Sequence, residues 1–244
     1  MKAAREAKTK PTLAAIRAEL HALGNPVRGT HSQRFFKTGP GQYGEGDKFV
    51  GLTVPEMRGI VRRYRELDDA AVHEMLQSPW HEERLVALLL MVDAYDRGDD
   101  PRRARVHRAY LANTATINNW DLVDASAGSI VGQHLEAGDI TLLERLARSE
   151  SLWERRIAIV STFDFIKRNE FRPTLKIATL LLGDSEDLIH KATGWMLREV
   201  GKRDRATLDR FLRKHYKRMP RTMLRYAIER HPERVRKQYL AGTI

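Results

Sequence analysis

The strongest constraint on this chain is a repeat of helical segments at a spacing near 36 residues. Trp80–Leu90 (WHEERLVALLL) and Trp153–Phe163 (WERRIAIVSTF) both set a Trp, a basic residue and an apolar run in that order, with one residue of slack. Arg84 and Arg156 stand 72 residues apart, two steps of 36. A step of 35 from Arg156 reaches Lys191 in HKATGWMLREV, and 34 more reach Arg225 in MLRYAIE. The midpoint between Arg84 and Arg156 falls at position 120, in WDLVD. A two-helix unit of this length leaves an apolar face open, so neighbours must stack into a curved solenoid with a concave surface.

The rest of the chain is also patterned for helix. Leu13, Ile16, Leu20 and Leu23 recur at helical spacing up to a stop at Gly24–Asn25–Pro26. Pro55 opens a segment with Met57, Ile60, Val61 and Tyr64 on one face, and strand-like alternation is scarce. The fold class expected is all-α, an α-α superhelix of HEAT-like repeats forming one domain over residues 1–244. Within it, residues 1–54 hold N-terminal helices and a glycine-rich loop at 37–51. Residues 55–200 hold the repeats with the site, and 201–244 the basic C-terminal helices.

Charge narrows the partners. The net charge is +11, yet residues 201–244 hold 14 Lys and Arg against four Asp and Glu, so nearly all the excess sits in the last 44 residues. Such asymmetry suits a polyanion, nucleic acid first and an anionic membrane surface second. The absence of cysteine removes disulfides, thiolate metal sites and cysteine nucleophiles. The longest apolar run, Leu85–Val92, is too short to span a bilayer. The basic N-terminus is followed by no apolar stretch, so a cytoplasmic protein is expected.

Residues 37–51 (KTGPGQYGEGDKFVG) spell G-x-G-x-x-G at Gly39, Gly41 and Gly44, but no strand precedes them and no helix follows directly, which rejects dinucleotide binding. This loop either offers backbone N–H groups to a phosphate or packs the N-terminal repeat. The nine histidines show no metal-ligand spacing, so neither metal nor cofactor is expected. What remains is Asn118-Asn119-Trp120-Asp121-Leu122-Val123-Asp124. Asn118 or Asn119 caps a helix whose first turn holds Trp120 and Asp121, and Trp120 and Asp124 share a face. Taken alone, Asp124 reads as an ion-pair partner of a neighbouring repeat's Arg, and Trp120 as a core residue. The repeat register adds Arg156 and the Lys191–Trp195 turn to the same surface. Two indoles, a carboxylate and a guanidinium can grip a cationic heterocycle, a developing sugar cation and a phosphate.

NNWDLVD, WERRIAIV and IHKATGWMLREVGK, in this order and separation, resemble the HEAT-like-repeat DNA alkylation repair glycosylases of the AlkD type. KTGPGQYGEGDKFVGLTVPEMR and RMPRTMLRYAIE look like further blocks of the wider family. The resemblance implies release of positively charged N3- and N7-alkylated purines from duplex DNA. It implies Asp124 as the catalytic carboxylate, Trp120 and Trp195 as the aromatic pair on the lesion-bearing nucleotide, and Arg156 as a backbone-phosphate contact. Arg155 lies beside it, and Lys191 is read as a phosphate contact or solvated charge. Asn119 stands where some members carry a second aromatic. A self-contained solenoid of this kind is expected to act as a monomer without an obligate protein partner. Two rival classes use the same surface differently: a non-catalytic HEAT-repeat protein binding damaged or branched DNA, and a protein-interaction solenoid.

Overall fold

The computed structural model describes residues 11–136 and 138–244. Among them the chain is all-α, with fourteen α-helices and a single isolated β-bridge, Lys48 to Trp80. It divides into two compact units, Met1–Asp99 and Asp100–Ile244.

The first unit holds α1 (Leu13–Ala22), α2 (Pro26–Phe35), α3 (Val54–Tyr64), α4 (Asp69–Leu76) and α5 (His81–Arg97). Thr12 caps α1, whose Ile16 and Leu20 are buried, and Asn25 caps α2 with Pro26 in its first turn. The expected stop at 24–26 is thus also the next start. Thr53 and Glu56 form a capping box on α3 and bury Met57, Ile60 and Val61. α3 and α4 pack against α5.

The glycine-rich loop packs this unit. The buried Glu82 carboxylate accepts the N–H groups of Val50 at 2.9 Å, Gly51 at 2.8 Å and Leu52 at 3.3 Å. Arg84 Nη2 and His81 Nδ1 hold the buried Asp47 at 2.7 and 3.2 Å, and Phe49 stacks on His81. Within the G-x-G-x-x-G stretch, the N–H groups of Gly39, Gly41 and Gly44 go to Gln42, Glu45 and the Lys37 carbonyl. Of the two sequence readings, the packing one describes this loop.

The second unit holds α6 (Asp100–Leu111), α7 (Trp120–Asp124), a π-turn at Gly128–Gly132, α8 (Thr141–Ala147), α9 (Leu152–Lys167), α10 (Arg172–Leu180), α11 (Asp187–Arg203), α12 (Arg205–His215), α13 (Arg221–Ala227) and α14 (Glu233–Ala241). α7, α9, α11 and α13 pack side by side as one layer, and α8, α10 and α12 cover them as the other. Their N-caps are Asn119, Ser151, Glu186 and Pro220, steps of 32, 35 and 34 residues. Two close approaches tighten this packing, the π-turn on α9 and α11 on α13. A Cβ on Gly132 would lie 2.2 Å from the Ser161 carbonyl oxygen, and one on Gly194 would lie 2.5 Å from that of Met223. Gly132→Ala should therefore lower stability by about 3 kcal/mol, read as a reduced urea midpoint with an unchanged slope.

The structure corrects one part of the repeat register. Ser78, Ser149 and Asp184 each accept the N–H of the N-cap two residues on with a side-chain oxygen. Their carbonyls then accept from Arg84, Arg155 and His190, each the fourth residue of its helix, at 2.9, 2.9 and 2.6 Å. Arg84 is thus equivalent to Arg155 and not to Arg156, and Trp80 falls level with Ser151 and not with Trp153. The helix starts set the repeat, and against it the Trp match is two residues off and the Arg84–Arg156 match one. Within the second unit the expected steps hold for Arg156, Lys191 and Arg225, each the fifth residue of its helix, while in α7 the fifth residue is Asp124 and not position 120, because that step is 32 residues and not 36.

A titrating pair lies where α6 packs on the π-turn segment. His107 on α6 is buried and stacks on His134 at 4.0 Å, and burial, with His134 and Arg108 adding to it, pushes its pKa down to about 4. The folded protein therefore binds fewer protons than the unfolded chain between pH 4 and 6.5, so the stability is complete above that window and falls as the imidazole protonates. The loss should reach about 2 kcal/mol after solvent screening, and His107→Phe should flatten the pH dependence of the urea midpoint.

Candidate active site

Asn119 is fully buried, and its Oδ1 accepts the Trp120 N–H at 2.8 Å, so it is the asparagine that caps α7. The helix lasts five residues and places Trp120 and Asp121 in its first turn and Asp124 at its end. Ser126 fixes that end from below by donating to the Leu122 carbonyl at 2.6 Å and pairing with the buried Tyr110 hydroxyl at 3.1 Å.

Asp124 meets Arg156 in a fork. Arg156 Nε donates to Oδ1 at 2.9 Å and Nη2 to Oδ2 at 2.8 Å. The remaining arm, Nη1, donates to the Leu188 carbonyl in the first turn of α11 at 2.6 Å. Three successive helices of one layer are thereby tied through one guanidinium. Arg156 retains 6% of its side-chain exposure and Asp124 21%, so solvent reaches the carboxylate and not the arginine. Each carboxylate oxygen has a second lone pair, which leaves the open side free to act on a ligand. Burial raises the Asp124 pKa above its ordinary value, Asp121 adds to the rise, and Arg156 opposes it.

The other sequence candidates fall as follows. Lys191, one register step on, is half-exposed and pairs with Asp187 at 2.8 Å. Trp195 follows one turn later, half-exposed, its Nε1–H donating to Glu199 at 3.1 Å and its ring 6.0 Å from Phe163. Trp120 is also half-exposed and not a core residue. Arg155 faces elsewhere: its Nε donates to Asp184 at 2.7 Å and its Nη1 to the carbonyls of Ser149 and Glu150. Glu199, Ser126 and the Leu188 carbonyl were not singled out from sequence. Glu199 could have been found from its i, i+4 spacing to Trp195, whereas a main-chain acceptor leaves no sequence signal. Among the described residues no three His, Asp or Glu side chains gather as metal ligands.

A model of the family described as DNA alkylation repair enzyme matches residues 16–231. The chain belongs to that family. The solved structure of a predicted DNA alkylation repair enzyme from Enterococcus faecalis is similar to it at 18% identity, with a TM-score of 0.65 over 86% of this chain and 97% of the other. That likeness bears on the fold, which is the expected all-α superhelical class. No curated protein matches the chain. Membership of the DNA alkylation repair enzyme family makes DNA repair the function and DNA the partner that the site has to explain. No helix among the described residues is long and apolar enough to cross a membrane.

Proposed function

We propose that this chain is a monofunctional alkylpurine DNA glycosylase of the AlkD type, acting as a monomer on duplex DNA in the cytoplasm. It hydrolyses the N-glycosidic bond of cationic N3- and N7-alkylated purines. The observation that carries this reading is the Asp124 carboxylate, fixed from behind by the Arg156 fork and open to solvent on its other side.

An alkyl group on N3 or N7 gives the purine a positive charge, so the base leaves without a strong general acid. The C1′–N9 bond breaks with its electron pair passing to the purine, which departs neutral. The sugar cation left at C1′ is stabilised by the ionised Asp124, which also orients water and takes its proton as the new C1′–O bond forms. The half-exposed indoles of Trp120 and Trp195 suit the cationic base or its nucleotide through their ring faces. Lys191 and the exposed Arg225 continue the row and are the natural phosphate contacts. Arg156 and Arg155 are committed inward, so Arg156 acts on Asp124 and Arg155 on the α10–α11 turn.

Trp195→Ala should lower excision from methylated duplex about tenfold while changing affinity for undamaged duplex much less. Equal losses in a parallel excision and anisotropy experiment would remove the lesion contact. A second reading also has an observation behind it. Both oxygens of Asp124 are engaged by Arg156, as in a structural ion pair of a non-catalytic protein that binds damaged or branched DNA. In that case methylated DNA would be bound and no base set free.

A further inference from the structure

The covering layer of the second unit opens between α10 and α12 into a cleft of about 590 Å³. It lies on helices of the other layer from those carrying Asp124, Arg156 and Lys191. Four cations line it, Arg172, Lys176, Arg210 and Lys214, and no acidic side chain does. Lys176 has Glu144 at 3.5 Å, and Arg210 donates to the Thr207 hydroxyl at 2.6 Å. Arg172 and Lys214 have no ion-pair partner among the described residues. Four like charges around one concavity repel one another until an anion enters.

Two further observations point to a built site. His215, also in the lining, is 8% exposed, and its Nδ1 is buried without a hydrogen-bond partner. An orphaned buried ring nitrogen is costly, so the cleft's wall carries unsatisfied polarity as well as unpaired charge. Phe171 and Leu175 add an apolar wall, and Phe171, at the N-cap of α10, leaves that helix without a side-chain cap. Cations that suit a phosphate thus share one cleft with an apolar surface that suits a planar ring, in a volume typical of small-ligand sites.

We propose that this cleft is a second ligand site that binds a nucleotide unit, its phosphate on the cations, its base against Phe171 and Leu175. The unit comes either from a free nucleotide or from a single strand of nucleic acid. Both sources share this chemistry and are separated by competition.

Isothermal titration of the full chain with adenosine monophosphate tests it, beside inorganic phosphate and a single-stranded pentanucleotide. One-to-one binding of the monophosphate is expected, with inorganic phosphate at least about tenfold weaker for want of the stacked ring. Arg172→Glu and, separately, Thr179→Glu on the same exposed wall should each weaken it at least about tenfold. The His215 ring resonances should move on binding, and Asp124→Asn should bind as wild type does. Displacement by the pentanucleotide assigns the site to a strand, and its failure assigns it to a free nucleotide. The proposal is overturned if the monophosphate does not bind at millimolar concentration, or if inorganic phosphate binds as tightly. It is equally overturned if neither wall variant has an effect, or if Asp124→Asn abolishes the binding.

Discussion

Asp124→Asn is expected to lower base release from methylated duplex DNA by at least about a hundredfold, with duplex affinity within a few-fold of wild type. The substitution preserves shape and removes the negative charge, which is the property that stabilises a cation at C1′. It also leaves the buried Arg156 guanidinium without its anion, so a lower melting temperature should accompany the loss. Circular dichroism and anisotropy of the variant distinguish a chemical defect from unfolding. A variant that is folded, binds DNA and releases base at the wild-type rate would show that Asp124 is a structural residue.

The second large effect is expected at Arg156. Truncation to Ala breaks a buried pair and three hydrogen bonds, for a destabilisation of about 3 kcal/mol and a large fall in turnover. The pH profile carries the more specific signature. Asp124 acts as the anion, and its folded pKa is already raised by burial, with Arg156 holding it down. Activity therefore falls as the pH drops through a value above that of an ordinary aspartate, and losing Arg156 moves this acid limb to still higher pH. Arg156→Lys should restore part of the limb through its charge, and not the rate, because a single ammonium cannot reproduce the fork. If Arg156→Ala instead left the pH profile and turnover unchanged and only flattened the salt dependence of DNA binding by about one unit, Arg156 would be a phosphate contact.

Much of this arrangement is legible in the sequence, for reasons that can be named. Helical periodicity, prolines and caps such as Thr12, Asn25 and Thr53 fix the all-α class because they act within a few residues of themselves. The fifth-residue register of Arg156, Lys191 and Arg225 is visible because those helices begin at nearly constant steps, whereas the shorter step to α7 puts Asp124 and not Trp120 level with Arg156. The Trp80–Trp153 match misleads. The repeated device is a hydrogen-bond pattern, filled by Ser78 and Arg84, by Ser149 and Arg155, but by Asp184 and His190, so residue identity marks it in two units and fails in the third. The direction of Arg156 is legible only in part. Its pairing with Asp124 is the ordinary fate of a carboxylate and an arginine one repeat apart, yet the bond to the Leu188 main chain and the depth of burial depend on how tightly α7, α9 and α11 pack. The neighbouring approaches, of the π-turn to α9 and of α11 to α13, rest on the absence of a side chain at Gly132 and Gly194.

Glycosylase activity is tested most directly by product analysis after incubating the wild-type protein with methylated duplex DNA. Free 7-methylguanine and 3-methyladenine are expected in solution with an equal number of abasic sites in the DNA, and no strand break until alkali is added. Restoration of unmodified purines within an intact duplex, or binding with every methylated base still in place, would contradict it.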